Sequence, residues 1–577
     1  MSASFSQLRA ARQTKETKSL VNSQSENSKA TTNETFQSAP SDFNANGLYS
    51  SLPASIEIKT SETHGRGLWL KEPLKAGTVL INTKPRVAVL SNRYLDSHCS
   101  ACFEPASPLK RCTQCQTVYY CDAACQTRDW PSHKNECGAL QKWAEAVPAL
   151  DVSVPNDGVR CLARVLWKKQ KQGPESQGSR EIDSMQNHRP HASSSVIELQ
   201  THLAHSLVRY IGATSPPELE AYGISSAADL VNLISRFTTN SFTVTDPTLT
   251  PIGVAISPII ALINHSCDPN AVVVFPHAAS TKAKEPSMQV IALKDITPGS
   301  EILTSYIDTT VPRSLRQKSL VETYHFTCHC DLCTSESATD PRTSMACPKS
   351  CGGVCPIPTD EDTDLPRCLK CKAAVSSTDA ILDAVRLGKE ALEKATSLQL
   401  QDPPKARRLT TKLIEILHSA GIQPSSHPLL ALSRLQHTLL ISSLSGNLTQ
   451  EALDETIRAI NCSVIGCAAV LHEGHPVRAI ALTELAKALI VDEPEPRQGP
   501  SITYPPSGPA RLKLAYDTLL RARHELLIAF GRENEGGKVG RDVRDTLVAV
   551  ERELGVWKQG IRNTIEDQPV PLKARTS

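Results

Sequence analysis

The chain has 577 residues, of which 62 are Lys or Arg and 60 are Asp or Glu, so its formal net charge at pH 7 is only +2. This balance argues against a protein that binds nucleic acid directly and strongly, because such proteins carry an excess of basic side chains. No run of about 18 apolar residues occurs, which excludes a membrane-spanning helix. The length suits three or four domains.

The N-terminal segment, residues 1–51, is predicted to be a disordered tail. It is rich in Ser, Asn, Thr and Gln and poor in large apolar side chains, so it cannot bury enough surface to offset the entropy lost on folding. It also lacks the apolar core of a secretory signal. A second, shorter tail is predicted over residues 564–577.

Two strands are predicted where folding begins. Residues 56–59 alternate between apolar and polar side chains, and residues 77–81 form a short apolar run after a glycine. Both patterns are typical of β-strands. Between them, Gly65-Arg66-Gly67 contains two glycines that tolerate positive φ. By itself this Gly-x-Gly is no more than a turn signal.

Eight Cys and His residues between positions 99 and 137 predict a zinc-binding segment. They form four pairs in which two or three residues separate the partners: Cys99 and Cys102, Cys112 and Cys115, Cys121 and Cys125, and His133 and Cys137. Such pairs suit two tetrahedral zinc sites. A disulfide framework is the alternative, but it requires an oxidising compartment. Zinc held by four protein ligands supports folding rather than catalysis.

Helical spacing of apolar residues predicts a helical insertion over residues 138–250. It is interrupted at residues 168–195 by a polar stretch rich in Lys, Gln, Ser and His, which is predicted to be a disordered surface loop. Helical spacing resumes at residues 196–211 and 230–237 and is followed by a strand at residues 240–244.

The most informative stretch is the heptad Asn-His-Ser-Cys-Asp-Pro-Asn at residues 264–270. Apolar runs before and after it, over residues 256–263 and 272–275, are expected to be buried. Polar groups at such depth cost about 1 to 3 kcal/mol each unless they are paired. We therefore expect the heptad to face a ligand, a metal or a hydrogen-bond network. A well-satisfied buried turn is the alternative.

Two later segments complete a recognisable set: Glu-Ile-Leu-Thr-Ser-Tyr-Ile-Asp at residues 301–308 and Phe-Thr-Cys-His-Cys-Asp-Leu-Cys at residues 326–333. With the heptad and the Cys-rich pairs, they resemble the SET-and-MYND family of protein-lysine methyltransferases over residues 52–563. The resemblance implies an α+β multidomain fold. Its parts are a β-rich SET domain split by a MYND zinc finger, a zinc-bound post-SET segment and an α-helical, tetratricopeptide-like C-terminal domain.

The resemblance also implies domain boundaries. They are 52–98 for the N-terminal part of SET, 99–137 for the MYND finger, 138–250 for the helical insertion, 251–326 for the SET core, 327–335 for the post-SET segment and 376–563 for the helical domain. Within the helical domain, His427-Pro428 and His475-Pro476 look like two helix starts, since proline suits the first turn.

The implied site residues fall into three sets. S-adenosylmethionine would be bound by Gly65, Arg66, Gly67, Asn240, Asn264, His265, Tyr306 and Phe326. The catalytic tyrosines would be Tyr306, beside the transferring methyl group, and Tyr324, lining the lysine channel. Zinc would be held in three places: by Cys99, Cys102, Cys121 and Cys125, by Cys112, Cys115, His133 and Cys137, and by Cys267, Cys328, Cys330 and Cys333.

A further cysteine group lies at residues 341–375 and is a candidate for an additional zinc module. Its members are Cys347, Cys351, Cys355, Cys368 and Cys371. Five cysteines for four positions leave either Cys347 or Cys355 as the odd one out, and the glycines at 352 and 353 are also compatible with an ordinary turn. The expected zinc content is therefore three ions, or four if this group binds.

The function implied is S-adenosylmethionine-dependent methylation of lysine in a histone tail or another protein, by a monomer of the cytoplasm and nucleus that binds no membrane. A catalytically silent adaptor, whose MYND finger binds a proline-containing peptide of a transcription regulator, is the alternative. The presence of Asn264, His265 and Tyr306 favours the enzyme.

Overall fold

The computed structural model describes residues 45–61, 65–146, 153–276, 286–335, 339–359, 365–375, 378–443, 448–495 and 504–566. The described residues form two compact units. The first contains those up to 307 together with 317–333, and the second contains 308–316 and those from 334 onwards. Of the predicted tails 1–51 and 564–577, residues 1–44 and 567–577 lie outside the described residues.

The first unit contains the strands of the predicted SET domain and its finger. They are β1 Ile56–Ser61, β2 Gly65–Leu70, β3 Val79–Thr83, β4 Val87–Leu90, β5 Lys110–Arg111, β6 Tyr119–Tyr120, β7 Ser241–Thr245, β8 Pro251–Ile256, β9 Asn264–His265, β10 Ala271–Val274, β11 Met288–Ala292 and β12 Leu303–Thr304. The strands predicted at 56–59, 77–81 and 240–244 are thus present as β1, β3 and β7.

These strands form several small sheets rather than one large one. β1 pairs with β2, β5 pairs with β6, and two antiparallel sheets have the orders β10-β11-β3 and β4-β8-β7. β11 is buried along its whole length because it is the central strand of its sheet. β9 and β12 are parallel, with Leu303 opposite Asn264 and Thr304 opposite His265. This short pairing joins two of the motif segments.

Helices cover the rest of the first unit. They are α1 Ala45–Leu48, α2 Ala123–Ala146, α3 Asp157–Gln172, α4 Gln177–Asp183, α5 Ser194–Ile211, α6 Pro216–Glu220 and α7 Ala227–Asn240. α7 begins with a capping box, in which Ser226 accepts from the backbone N–H of Asp229 and the Asp229 carboxylate accepts in return.

Residues 168–195 are not the disordered loop that their composition predicts. They complete α3, form α4 and a 3-10 turn at Arg189–His191, and lead into α5. Ser176 caps α4, and Ile182 and Met185 are buried in the core of the first unit. The prediction was wrong because local caps and a few apolar anchors order a largely polar segment when it packs against an existing core.

Folded structure also begins before residue 52. Leu48 and Tyr49 are buried in the same core, and the Tyr49 hydroxyl lies 2.7 Å from the Ser184 hydroxyl. The predicted tail boundary at residue 51 is therefore too late, because these two side chains gain burial against α4 and its neighbours.

The second unit is mainly helical. Its elements are β13 Ser344–Ala346, β14 Val354–Pro356, α10 Thr378–Leu398, α11 Pro403–Ser419, α12 Leu429–Ser443, α13 Gln450–Val470, α14 Pro476–Ile490, α15 Pro509–Ala529 and α16 Gly537–Glu566. The two helices that precede them in the chain, α8 Arg313–Tyr324 and α9 Asp331–Thr334, have most of their residues in the first unit. From α10 onwards each helix packs against the next along the chain. A tetratricopeptide-like arrangement stays a prediction. Among the described helices, none has the length and apolar character needed to cross a membrane.

Candidate functional site

The heptad is held by a side chain at its end. The Asn270 amide donates to the carbonyl of Glu301 at 2.8 Å, and its oxygen accepts from the backbone N–H of Leu303, also at 2.8 Å. Asn270 therefore fixes the position of β12 beside β9. This is the hydrogen-bond network that the burial cost of the heptad predicts.

Asn264 connects the heptad to β2. Its Nδ2 group donates to the Glu301 carboxylate at 2.8 Å and to the Arg66 carbonyl at 3.2 Å. A side chain at Gly67 would collide with the Glu301 carboxylate and with Asn264. Glycine is needed at this position because the two side chains pack directly on the strand, whereas Gly65 has φ +68° and open space beside it.

Four rings meet next to this contact. The centroid of Tyr306 lies 4.9 Å from Tyr324, 5.3 Å from His265 and 6.5 Å from Phe326. Tyr306 and Phe326 are half-buried, while His265 and Tyr324 are buried. The structure thus brings together four of the predicted site residues, which are up to 61 positions apart in the sequence.

Tyr306 is fixed at two points. Its hydroxyl donates to the Ile263 carbonyl at 2.6 Å, and its backbone N–H donates to His265 Nδ1 at 3.0 Å. Burial, and then the neighbouring Tyr324, raise the pKa of the Tyr306 hydroxyl above its usual value of 10. The phenol is therefore protonated at neutral pH, and its oxygen can still accept a hydrogen bond.

Arg66 and Asn240 both contact the segment that was predicted to be a disordered loop. The Arg66 guanidinium donates to the carbonyl of Ser184, and the Asn240 amide donates to the carbonyl of Gln186 at 2.9 Å and to that of Arg236 at 2.8 Å. Residues 184–186 therefore connect the two. Asn240 has no described hydrogen bond to the heptad, so it belongs to this neighbouring contact.

Four sulfur atoms meet behind His265. The Sγ atoms of Cys267, Cys328, Cys330 and Cys333 all lie within 4.8 Å of one another. Because His265 Nδ1 accepts from Tyr306, its Nε2 carries the ring proton and points to Cys267 Sγ at 3.3 Å. The cluster is therefore linked to Tyr306 through a single histidine.

The segment that carries three of these cysteines is held by Gln317. Its amide donates to the Cys328 carbonyl at 2.7 Å and accepts from the Cys328 N–H at 2.9 Å. Phe326 lies two residues before this clamp. Order in the cysteine segment therefore also sets the position of the Phe326 ring.

The finger ligands form two interleaved groups, as the resemblance implies. In each group the ligand atoms lie within 4.8 Å of one another: Cys99, Cys102, Cys121 and Cys125 in one, and Cys112, Cys115, His133 and Cys137 in the other. Sulfur and imidazole donors in sets of four are what tetrahedral zinc prefers. The donor chemistry of all three clusters therefore fits zinc.

A buried carboxylate braces the histidine of the finger. Glu136 is fully buried, and its Oε2 lies 3.4 Å from His133 Nδ1. Arg160 and Arg164 of α3 donate to the same carboxylate at 2.9 and 3.0 Å through their Nε atoms. Burial opposes ionisation, but Arg164 and Arg160 outweigh it and hold the pKa of Glu136 well below its usual range. A carboxylate behind a histidine ligand fixes its ring orientation.

The sequence did not predict the roles of some residues of the site. Glu301, Asn270, Gln317 and Glu136 act only through partners far along the chain, and the sole local signal is that polar side chains stand beside buried apolar ones. Asn270 and Glu301 lie within the motif segments, so this signal was present for them.

Comparisons with known proteins agree with this geometry. Residues 65–307 match the family model described as "SET domain". N-lysine methyltransferase SMYD2 of Gallus gallus is 33% identical over 286 residues, which are 49% of this chain and 60% of that protein. SMYD2 of Homo sapiens is 32% identical over 281 residues, 49% of this chain and 60% of that protein.

A relative named as a histone-lysine methyltransferase is similar over nearly the same share of the chain. Histone-lysine N-methyltransferase Smyd1 of Mus musculus is 30% identical over 290 residues, which are 48% of this chain and 56% of that protein. The chain thus spans at most about 60% of the length of these relatives. A solved structure of the SET domain of LSMT bound to lysine and AdoHcy aligns with a TM-score of 0.28 and 11% identity, over 88% of this chain and 90% of that one. That similarity is too low to support a conclusion.

The heptad, the tyrosine segment and the cysteine segment occupy one connected site, and the family match covers its strands. Residues 65–307 match the SET-domain family, and about half of the chain is similar in sequence to lysine methyltransferases of the SMYD type.

Proposed function

We propose that this protein transfers methyl groups from S-adenosylmethionine to lysine side chains of other proteins. The observation that carries the proposal is the placement of the Tyr306 hydroxyl at the Ile263 carbonyl, next to Asn264 and inside a group of four rings. It is supported by the match to the SET domain and by the lysine methyltransferases similar to this chain.

The residues around this group fit the cofactor. Arg66, Asn264, Tyr306 and Phe326 are half-buried rather than sealed in the core, and open space lies beside Gly65. In the proposal, the polar groups near Asn264 hold the amino-acid end of the cofactor and Phe326 packs on its adenine ring. S-adenosylmethionine supplies an activated methyl group attached to a sulfonium. Asn240 would support the cofactor site indirectly, by holding residues 184–186, which in turn contact Arg66.

Substrate lysine must be neutral to accept a methyl group. A free lysine with pKa near 10.4 is neutral in about one molecule in 2500 at pH 7, and an apolar channel favours the neutral form because burial penalises the ammonium. Tyr306 and Tyr324 would form the walls of that channel. The Tyr306 oxygen would accept a hydrogen bond from the amine and direct its lone pair, so the tyrosine acts by orientation and not as a base.

Zinc in the three clusters of the first unit would support structure. The finger ions would order residues 99–137, and the Cys267 ion would order the segment that contains Phe326. Each set supplies four protein ligands and leaves no position for a reactive water. The ions would therefore contribute to folding and to the geometry around the candidate site.

The substrate class and location remain part of the proposal. Relatives of this chain are named both as N-lysine and as histone-lysine methyltransferases, which supports a lysine in a histone tail or in another protein of the nucleus or cytoplasm. The MYND finger would bind proline-containing peptides, and the protein would act as a monomer that binds no membrane and does not bind nucleic acid directly and strongly.

The experiment is methyl transfer from radioactive S-adenosylmethionine to nuclear and cytosolic extracts. The full-length protein should label discrete protein bands, and the label should appear as methyl-lysine after hydrolysis. The adaptor alternative predicts no label above a no-enzyme control with either extract, although the finger would still capture proline-containing peptides.

A further inference from the structure

The cysteine group of the second unit is a compact cluster. The Sγ atoms of Cys347, Cys351, Cys368 and Cys371 all lie within 4.8 Å of one another. Cys347 and Cys371 are 3.5 Å apart, and so are Cys351 and Cys368. Four sulfurs that each bind one zinc at about 2.3 Å would be about 3.8 Å apart in a tetrahedron. The observed spacing is close to that value.

Cys355 is the odd cysteine out. It lies in β14 with its side chain fully buried in the core of the second unit, and it is not among the four clustered sulfurs. The choice that sequence left open between Cys347 and Cys355 is therefore resolved in favour of Cys347 as a member of the cluster.

A backbone N–H group points at one sulfur of the cluster, since Cys347 Sγ accepts from the N–H of Lys349 at 3.4 Å.

The backbone around each pair is shaped for this arrangement. Ser350, just before Cys351, has φ +51°, and Lys372, just after Cys371, has φ +60°. Each of these left-handed residues turns the chain next to a cysteine of the cluster. A Cβ at Gly353 would lie 2.7 Å from Cys368 Sγ and 3.2 Å from Cys351 Sγ. Glycine is therefore needed at position 353, because Cys368 closely approaches the backbone there.

The cluster belongs to the same hydrophobic core as the first helices of the second unit. Cys347 and Cys368 pack in one core with Ile381 of α10 and with Leu413 and Leu417 of α11. β13 also reaches the chain after α11, since the N–H of Ala346 donates to the carbonyl of Gly421 at 2.8 Å. The end of a helical array needs a cap to cover its terminal apolar face.

We infer that Cys347, Cys351, Cys368 and Cys371 hold a fourth zinc ion, which orders residues 344–359 and 365–375 as the cap on α10 and α11. Lys349, Lys370 and Lys372 are close to the ligands in sequence, and the Lys370 ammonium donates to the Cys351 carbonyl at 3.0 Å. Their positive charge would offset the negative charge that four thiolates and one Zn²⁺ leave. This inference is independent of methyl transfer, because every residue in it lies in the second unit.

Metal content of the full-length protein tests the inference. After gel filtration in metal-free buffer, elemental analysis should find one zinc per chain fewer in Cys368→Ser than in wild type. Cys355→Ser is the matched control, since it removes a buried cysteine from the same module and should leave the zinc content unchanged. Equal zinc content in folded Cys368→Ser and wild type would overturn the inference, as would a loss in both variants.

Cys371 gives a second test that needs no variant. Its side chain is exposed, so a free thiol there should react readily with an alkylating reagent in the native protein, whereas a zinc-bound thiolate should be protected. We expect Cys371 to be alkylated at least about tenfold more slowly before zinc removal by a chelator, with the thiols kept reduced, than after it. Fast alkylation at full zinc content, or a disulfide joining these cysteines in the freshly purified protein, would contradict the site.

The cap itself is tested by hydrogen exchange. On loss of the fourth zinc, amides in α10 and α11 should exchange faster, while those in β10 and β11 of the first unit should not change. Unchanged exchange in α10 and α11 of zinc-depleted Cys368→Ser would reject the capping role.

Discussion

The finger clusters and the Cys267 cluster offer similar metal ligands but connect to different parts of the first unit. In the finger, His133 is braced by Glu136, which accepts from two arginines of α3. In the Cys267 cluster, the sulfur contacts His265, and that ring accepts from the backbone of Tyr306. The finger ligands are therefore connected to helix α3, whereas the Cys267 cluster is connected to the candidate site itself.

Removing one ligand from each kind of cluster should have the largest effect, and the effect on activity should differ between the two. Cys330→Ser should lose one zinc per chain together with detectable methyl transfer, because Phe326 and His265 lose their support. Elemental analysis and the radioactive transfer assay provide the measurements. Cys112→Ser, which removes a finger ligand, should lose one zinc but keep S-adenosylmethionine binding. Equal loss of cofactor binding in both folded variants would show that the clusters do not differ in this way.

The brace behind His133 should matter for stability. Glu136→Gln leaves Arg160 and Arg164 without their buried carboxylate, and breaking such a pair typically costs about 3 to 5 kcal/mol. We expect a corresponding fall in the free energy of unfolding, measured by urea denaturation, with the first unit affected. Glu198→Gln, on the exposed face of α5, is the control and should change stability by less than about 0.5 kcal/mol.

The Glu301 carboxylate should affect cofactor affinity through Asn264. Glu301→Ala removes the acceptor of the Asn264 amide, and losing one such hydrogen bond, worth about 1 to 2 kcal/mol, weakens binding by about tenfold. Calorimetric titration with S-adenosylmethionine measures this. Glu301→Gln keeps an acceptor oxygen and should bind more tightly than Glu301→Ala; equal affinity of these two variants would argue against a positioning role.

The smallest expected effect concerns pH and the segment at residues 184–191. Burial, and then His325 and His191, lower the pKa of His188 from 6.5 to about 4. The unfolded chain thus takes up a proton below pH 6.5 that the folded protein does not, so stability should fall as pH drops from 6.5 towards 4. Thermal melting should show this fall to be a few degrees smaller in His188→Gln than in wild type. The exposed His202→Gln variant should behave as wild type.

Sequence predicts the metal groups and the motif segments better than it predicts what supports them. The finger ligands repeat at short spacing, so both interleaved groups follow from the chain and the family resemblance. Cys267 lies 61 residues before Cys328. Only the family resemblance therefore predicts that it shares a metal site with Cys328, Cys330 and Cys333. Residues 184–186 escaped prediction because their partners, Arg66 and Asn240, are distant in sequence and the segment itself is polar.

The most direct test of the proposed function is the rate of methyl transfer by Tyr306→Phe. This change removes one hydroxyl, so the zinc content, thermal stability and S-adenosylmethionine affinity should stay close to wild type. Turnover should fall by about 10²- to 10³-fold, because an oriented group next to the reacting atoms acts mainly in the transition state. Wild-type protein that methylates lysine, with folded Tyr306→Phe equally fast, would contradict the account.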